Sequence, residues 1–277
     1  MKLLFYIAFV LIIFTKCSSG KDVENTREKY SFMIAGHVYG SPSNHQPGLH
    51  PPFLKTKDFI RGYKNLKFGI LTGDVVPISK QVYWDSAIAD MNKFGIDFHI
   101  APGNHDRSAI YDQNFENRYY NFEHNNSHFI ILSPTEWNIE NEQLVFLKRS
   151  LQSIKKESKN IFIFCHELIW WSPENEFRNI KINYKPHYPG SSNYWEDVDP
   201  ILRNVDIPIY IFAGDLGAAA DKDAWSYVRK DNIRFIASGM GGGKNDNIII
   251  VDVLDDEVVV KEYSINSEEP KLIESFN

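Results

Sequence analysis

Cysteine is nearly absent from this chain of 277 residues, which contains two, Cys17 and Cys165. Cys17 follows an apolar amino-terminal run, and if it is removed or acylated, Cys165 has no partner for an internal disulfide. Cys165 ends an apolar strand pattern at residues 161–165, where a cysteine is typically a small buried hydrophobe. No neighbouring residue in the sequence favours a thiolate, so we expect no catalytic thiol.

A surplus of positive charge is missing as well. The 30 Lys and Arg residues against 36 Asp and Glu residues give a formal net charge of −6, without any lysine-rich or arginine-rich run. Proteins that bind the nucleic-acid backbone normally present a basic face, so the composition argues against a nucleic-acid partner. A hydrophobic content of 43% supports a substantial core.

Long apolar runs are also lacking. The longest, residues 3–14, is shorter than the roughly 20 residues that a membrane-spanning helix requires. A preceding Lys2 and following small polar residues are typical of a secretory signal, although a buried core segment is an alternative. We expect a signal peptide or lipoprotein signal at residues 1–20, a polar tether at 21–29, and an exported protein that is periplasmic, cell-surface or extracellular.

Cys17 resembles the processing site of a bacterial lipoprotein, in which the cysteine becomes the acylated first residue. Lys16 departs from the small residue that usually precedes this cysteine. A lipid anchor at Cys17 and plain secretion therefore stand as alternatives, and an anchor would hold the protein at a membrane surface without spanning it.

Short apolar runs alternate with amphipathic stretches along the rest of the chain. The predicted strands are residues 32–35, 68–72, 96–101, 129–133, 161–165 and 207–213. The predicted helices are residues 80–94, 141–156, 195–204 and 218–230. This alternation predicts βαβ units and a largely parallel sheet. An antiparallel meander is predicted for residues 233–237, 247–253 and 257–263. Together these patterns predict one α/β domain over residues 30–270.

Polar side chains of catalytic or ligating type directly follow most of the predicted strands. They are His37, Asp74, Asn104, His105, Asp106, His166 and Asp215. Ligands bind at the carboxyl ends of strands in open α/β sheets, so we expect these residues to gather at one edge. Carboxylate, carboxamide and imidazole donors suit a divalent metal such as Mn, Fe or Zn. His105 can protonate a leaving oxygen, with Asp106 fixing its orientation.

Five of these residues also have a structural alternative. Asp74 can be a turn residue or helix cap, and Asp215 can cap the predicted helix near residue 218. Asn104 and His105 can shape a turn, and His166 can be a buried core histidine. The serial placement at strand ends favours a functional site.

The order of these motifs resembles the calcineurin-like metallophosphoesterase family over most of residues 31–263. The family's motifs are Asp-x-His, Gly-Asp, Gly-Asn-His-Asp or -Glu, a lone His, and Gly-His-x-His. The matching segments are Ala35-Gly36-His37, Gly73-Asp74, Gly103-Asn104-His105-Asp106, His166 and Gly214-Asp215-Leu216-Gly217. The resemblance implies a four-layer α/β/β/α sandwich with a mixed, largely parallel sheet and a carboxyl-terminal antiparallel meander.

Two positions depart from the family pattern, and both belong to the same metal position. Ala35 stands where the first motif has Asp, and Gly217 stands where the last motif has its final His. By analogy that position keeps His37 and a share of Asp74. The second position keeps Asp74, Asn104 and His166, with Asp215 in place of a histidine.

We therefore expect one well-held metal, with two an alternative if a further ligand restores the depleted position. The candidate ligands for that restoration are His45, His50 and His187.

The resemblance implies a metal-dependent hydrolase of a phosphate mono- or diester, and the amino-terminal signal predicts that it is exported; the expected substrate is a small-molecule or glycan phosphoester. The alternative is an inactive binding protein on the same fold that recognises a phosphorylated or glycan ligand, and a third is a hydrolase of a cell-surface polysaccharide. The sequence indicates no oligomeric state. The long loop at residues 170–193 carries aromatic residues that either pack internally or stack on a ligand. These are Trp170, Trp171, Tyr184 and Tyr188, with Trp195 just beyond.

Overall fold

The computed structural model describes residues 29–185 and 192–277. Three parts of the sequence prediction lie outside the described residues. They are the signal at residues 1–20 with Cys17, the tether except for Lys29, and the two loop residues His187 and Tyr188. No helix in the described ranges is long and apolar enough to cross a membrane.

Twelve strands in the described residues form two six-stranded mixed sheets. The first sheet has the order β12-β11-β10-β1-β2-β3 and the second has the order β4-β5-β6-β7-β9-β8. The strands of the first sheet are β1 (Tyr30–Ala35), β2 (Leu66–Leu71), β3 (Asp97–Ile100), β10 (Asn247–Val253), β11 (Val258–Ser264) and β12 (Lys271–Phe276). Those of the second are β4 (Tyr120–His124), β5 (Ser127–Ile131), β6 (Asn160–Phe164), β7 (Ile209–Ala213), β8 (Trp225–Lys230) and β9 (Ile233–Ser238).

The parallel strands are adjacent to one another in each sheet. In the first sheet β1, β2 and β3 are parallel, and in the second β5, β6, β7 and β9 are parallel. The helices are α1 (Pro51–Lys55), α2 (Lys57–Gly62), α3 (Gln81–Asn92), α4 (Ala109–Asn114), α5 (Asn141–Gln152) and α6 (Asp199–Arg203). The predicted α/β class and mixed-sheet fold are thereby confirmed.

Alternating side chains divide the core into layers. Phe32 and Ile34 of β1 point between the two sheets, whereas Met33 and Ala35 pack with residues of α1 to α3. On β6, Phe162 and the next-but-one residue Phe164 likewise enter the space between the sheets, because side chains in a strand alternate between faces. The result is the four-layer arrangement of helices, sheet, sheet and helices.

Cys165 is fully buried and its Sγ donates to the Glu167 carbonyl at 3.2 Å. Burial raises the pKa of this thiol, which confirms its expected role as a small buried hydrophobe.

Two sequence predictions near the carboxyl terminus were wrong. Residues 218–230 do not form a helix, because β8 pairs antiparallel with β9 through a turn in which Asp231 has φ 57°. Strand β9 does not join the meander, because it pairs with β7 in the second sheet, where all six of its residues are buried. The meander consists instead of β10, β11 and β12, which extends the fold beyond the predicted boundary at residue 270.

The predicted helix at residues 195–204 is divided. A π-helical turn at Tyr194–Val198 leads directly into α6. The predicted helices at residues 80–94 and 141–156 correspond to α3 and α5, each shorter at its carboxyl end.

Candidate active site

The predicted site residues follow the carboxyl ends of five strands drawn from both sheets. His37 follows β1, Asp74 follows β2 and the Asn104–Asp106 turn follows β3, while His166 and Asp215 follow β6 and β7. The backbone joins these ends directly: His37 N donates to Gly73 O at 3.1 Å, and Asp215 N donates to His166 O at 3.0 Å. His37 and Asp74 have φ values of 54° and 50°, a conformation that non-glycine residues rarely adopt and that often marks functional sites.

Asp74 lies at the centre of the cluster. Its Oδ2 is 3.3 Å from His166 Nε2 and 3.5 Å from His37 Nε2. His166 Nε2 is in turn 3.9 Å from Asp215 Oδ1. The other oxygen, Asp74 Oδ1, accepts a hydrogen bond from His105 N at 3.2 Å. The fold therefore brings His37, Asp74, His166 and Asp215 together, with the His105 backbone beside them.

His166 offers an unused nitrogen to this cluster. Its Nδ1 donates to Thr72 O at 2.9 Å, which turns Nε2 toward Asp74 and Asp215. Nε2 is buried, and the two carboxylates are its polar neighbours at 3.3 Å and 3.9 Å. Two ligands that each lie about 2.1 Å from one metal ion are about 3.4 Å apart at the tetrahedral angle. The separation of Asp74 and His166 thus fits two ligands of a common ion.

Asp215 stands further out than the other donors. Its Oδ1, the oxygen that lies 3.9 Å from His166 Nε2, also accepts a hydrogen bond from Asn183 Nδ2 at 3.0 Å. As the side chains stand, no group of three or more His, Cys, Asp or Glu residues within the described ranges could hold a metal ion. The donor types and the spacing of Asp74 and His166 fit a divalent metal, and closure of the site depends on a third donor.

The charges of the cluster compensate each other. Burial opposes ionisation of Asp74, but His166 and His37 hold its pKa below the usual range. Burial also lowers the pKa of His166, yet Asp74 and Asp215 raise it to about 10 overall. Burial lowers the pKa of His37 to about 4 and raises that of Asp215 to about 6. Without a metal, a cationic His166 would therefore neutralise the carboxylate beside it.

His105 lies at the surface of the cluster. Its side chain is exposed, and its Nδ1 lies 2.7 Å from Pro77 O, to which it donates, leaving Nε2 for proton transfer. The ring of Tyr39 lies 5.4 Å from that of His105 and 4.5 Å from that of His37. Asn104 is exposed in the same turn, and the structure shows no contact between its side chain and Asp74 or His166.

Asp106 does not orient the His105 ring as predicted. Its Oδ1 accepts hydrogen bonds from Val75 N at 2.9 Å and Val76 N at 3.1 Å, and its Oδ2 accepts from Gly103 N at 2.9 Å. The His105 ring is held by the Pro77 carbonyl instead. Asp106 is fully buried and joins the turn after β2 to the turn after β3, so its role is to shape the site.

The two departures from the family pattern, Ala35 and Gly217, have different surroundings. Ala35 is fully buried at the end of β1, within the core between the first sheet and its helices. Gly217 has φ 73°, and a Cβ there would lie 2.8 Å from the Gly239 carbonyl oxygen and 2.9 Å from Met240 N. The backbone around Gly217 leaves no room for a side chain, and the methyl group of Ala35 cannot ligate a metal.

No described histidine replaces the missing ligands. His50 Nε2 lies 3.1 Å from Asp246 Oδ2, whose other oxygen accepts hydrogen bonds from Gly241 N and Gly243 N. His45 is exposed and its carbonyl accepts a hydrogen bond from Tyr83.

Three residues that the sequence reasoning missed support the site. Asn183, from the long loop, donates to Asp215 Oδ1 and accepts from Ala218 N at 2.9 Å. Arg107 Nη2 donates to Glu167 Oε1 at 2.6 Å, and its Nη1 donates to the Pro134 carbonyl. This guanidinium therefore ties the His105 turn of the first sheet to loops of the second. The position of Glu167, directly after His166, could have indicated that it belongs to the site. Only the length of the loop could have indicated Asn183.

The aromatic residues of the long loop mostly pack internally. Trp170 and Trp171 are buried, and Trp195 stacks on Phe177 at 6.0 Å between ring centroids. Tyr184 is exposed.

This fold and its cluster at the carboxyl ends of the strands define a metallophosphoesterase-type protein. A model of the calcineurin-like phosphoesterase family matches residues 44–238, and the chain belongs to that family. The match begins beyond Ala35 and His37, where the family's first motif is degraded.

Solved structures show similar chain folds at low identity. A Vps29 single mutant from Entamoeba histolytica is 10% identical with a TM-score of 0.43, and the alignment covers 89% of this chain and 99% of that one. Vps29 from Cryptosporidium parvum is 12% identical with a TM-score of 0.44, covering 90% and 98%. A predicted phosphoesterase from Streptococcus pneumoniae is 10% identical with a TM-score of 0.41, covering 89% and 98%. A search of curated proteins finds no match.

Proposed function

We propose that this protein is a metal-dependent hydrolase of a phosphate mono- or diester that works with a single metal ion. The observation that carries the proposal is the fully buried Nε2 of His166, which lies 3.3 Å from Asp74 Oδ2 beside an exposed His105. An imidazole nitrogen and a carboxylate at this separation are suited to a divalent ion such as Mn, Fe or Zn.

The residues divide the chemistry between them. Asp74 and His166 would hold the metal, with Asp215 and Asn104 completing its shell. When bound, such a metal polarises a phosphoryl oxygen and lowers the pKa of a coordinated water. His105 delivers a proton to the leaving oxygen from Nε2, while the Pro77 carbonyl holds the ring through Nδ1. His37 faces Asp74 and stays neutral because burial lowers its pKa to about 4.

A single metal lacks the symmetric clamp that two ions place on the attacking and leaving oxygens. We therefore expect slow turnover, or turnover restricted to esters with good leaving groups.

The test combines metal analysis with turnover of p-nitrophenyl phosphate and its diester. We expect about one metal per chain after loading with Mn²⁺, Fe²⁺ or Zn²⁺. His105→Ala should keep that metal and lose at least about 100-fold in kcat, because the general acid is gone. His45→Ala, which removes an exposed histidine outside the cluster, is the matched control. Wild-type turnover in His105→Ala would contradict the assigned role.

The second candidate is a binding protein that recognises a phosphorylated or glycan ligand without hydrolysing it. Its support is that Ala35 offers no ligand and the backbone around Gly217 excludes a side chain, while His166 and Asp74 compensate each other without a metal. A purified protein that takes up no metal and turns over neither ester, yet binds a phosphorylated ligand, would favour this candidate.

We also propose that the protein is exported and that Cys17 is either cleaved off or acylated. The support is the sequence alone: Lys2, the apolar run at residues 3–14 and the small residues after Cys17. Mass spectrometry of the protein from its native cells distinguishes a chain that starts at an acylated Cys17 from one that starts later. A mature chain that retains residues 1–16 would refute export by this signal.

A further inference from the structure

Arg234 is a buried arginine between the two sheets. It is 7% exposed and lies two residues before Ile236 on β9, so its side chain shares the face of β9 that packs between the sheets. The central carbon of its guanidinium group lies 5.0 Å from the centre of the Tyr210 ring. Nη1 donates to Asn232 O at 3.2 Å, whereas Nε is buried without a hydrogen-bond partner in the described residues. Arginine is almost never fully buried unless it is paired, so this side chain calls for a ligand.

A second arginine lies on the neighbouring strand. Arg229 of β8 is directly opposite Arg234 in the antiparallel pair, so the two side chains share a face of the sheet. Like charges in this arrangement repel each other. Burial raises the pKa of Tyr210, and the charges of Arg234 and Arg229 both act against that increase, which shows that both guanidinium groups lie near the phenol. Within residues 29–185 and 192–277, neither arginine forms an ion pair with a carboxylate.

A cavity of about 460 Å³ opens beside Arg234. Neutral side chains that can donate a hydrogen bond line the same cavity: Ser158, Asn160 and Tyr210. The exposed acidic residues 255–257 also line it, and Lys159 Nζ lies 3.2 Å from Asp256 Oδ1. Because none of these acidic residues pairs with Arg234, the buried guanidinium keeps its positive charge available to a ligand.

We propose that this cavity binds a small oxyanion, either a phosphate or a carboxylate group, on Arg234, with Arg229 as a second positive charge. The planar fork of a guanidinium group matches both of these anions, because it can donate two parallel hydrogen bonds to their oxygens. A bound anion would pair the buried cation and offset the repulsion between the two arginines.

This site is separate from the candidate active site. Arg234 is the second residue of β9 and lies about 13 Å along the strand from Ser238, at which β9 ends. His166 and Asp215 follow the carboxyl ends of β6 and β7, which run parallel to β9. The oxyanion site is therefore toward the opposite end of the second sheet, and the inference does not depend on the proposed function.

The test titrates the full chain with inorganic phosphate and with acetate by calorimetry, at constant ionic strength in chloride. We expect Arg234→Met to weaken binding of the preferred anion at least about tenfold, because it removes charge-assisted hydrogen bonds. Arg149→Met, which changes an exposed arginine on α5, is the matched control and should keep the wild-type affinity. Phosphate can also enter the candidate active site, so NMR supplies a local measurement. The Arg234 Nε–H signal, identified by its absence in Arg234→Met, should shift during the titration.

A second variant keeps the test valid if Arg234→Met does not fold. Arg229→Gln changes an exposed side chain and should weaken binding about threefold. Tighter binding of phosphate would identify a phosphate site, and tighter binding of acetate would identify a carboxylate site. An Arg234 signal that neither anion shifts would overturn the inference, as would wild-type affinities in both arginine variants.

Discussion

The two halves of the candidate metal centre differ in what surrounds their histidines. His166 presents a buried ring nitrogen to the carboxylates of Asp74 and Asp215. His37 reaches Asp74 from the other side, but its neighbours are the core residue Ala35 and the backbone that packs against Gly217. One half keeps its donors and their spacing, whereas the other has Ala35 in place of a ligand and is filled by backbone at Gly217. The contrast at Gly217 shows that a ligand position can be closed by the backbone around it as well as by a change of side chain.

The largest expected effect separates the two histidines directly. His166→Ala should abolish metal uptake and destabilise the protein by about 3–5 kcal/mol, because it leaves Asp74 and Asp215 buried without a cation. His37→Ala should retain one metal. Metal analysis and urea unfolding of both variants provide the measurement. Equal loss of metal in the two variants would mean that the halves are not distinct.

A second prediction tests whether the filled half can be restored. Gly217→His should destabilise the protein by about 2–4 kcal/mol, because its φ of 73° and its approach to Gly239 exclude a side chain. Gly62→His is the control, since a Cβ at Gly62 meets nothing within 4 Å. Thermal unfolding and metal analysis of the two variants are the measurements. A stable Gly217→His protein that binds a second metal would show that only the side chain had been lost.

The pH dependence of the metal-free protein reports on the retained half. The pKa of His166 is raised from 6.5 to about 10 in the folded protein. Its ion pairs therefore contribute fully below pH 6.5, and their contribution is lost as the pH rises through about 10. Urea unfolding of the metal-free wild type should show this loss, and His166→Gln should not.

Metal binding should show the opposite trend, because a metal requires the neutral imidazole. Affinity for Zn²⁺ or Mn²⁺ should thus increase with pH up to about 10 in the wild type. A pH-independent affinity would place the metal elsewhere.

The smallest expected effect concerns the support of Asp215. Asn183→Ala removes the donor to Asp215 Oδ1 and should weaken metal affinity about tenfold, with a loss of stability of about 1 kcal/mol. Asn204→Ala, which removes an exposed asparagine that bonds only to Pro200 O, is the control. An unchanged metal affinity in Asn183→Ala would remove Asn183 from the site.

The sequence was sufficient for the parts of the fold that depend on buried strands. Runs such as residues 161–165 and 207–213 are apolar throughout, and a side chain that follows a parallel strand reaches the ligand-binding edge. The approach of Asp74 to His166 could therefore be predicted across 92 residues of chain separation. Strand β8 was mistaken for a helix because its sequence does not alternate between apolar and polar residues. Most of its residues are half-buried, so neither face of the strand needs to be apolar.

The details of the site depended on contacts that no local pattern records. Asn183 and Arg107 act through hydrogen bonds to distant loops, and Gly217 is constrained by Gly239 on another strand end. Asp106 is a further example. Its place in the motif predicted a carboxylate that orients His105, but the sequence could not show that its hydrogen bonds go to backbone N–H groups instead.

The three backbone hydrogen bonds of Asp106 have a consequence for how signatures of this kind evolve. A substitution at Asp106 would be penalised through folding, since Gly103, Val75 and Val76 would lose a buried acceptor. That penalty applies equally to a protein that hydrolyses its ligand and to one that only binds it. The aspartate that ends Gly-Asn-His-Asp would therefore persist after a loss of catalysis. Its presence in a related chain is evidence of common descent rather than of hydrolytic activity.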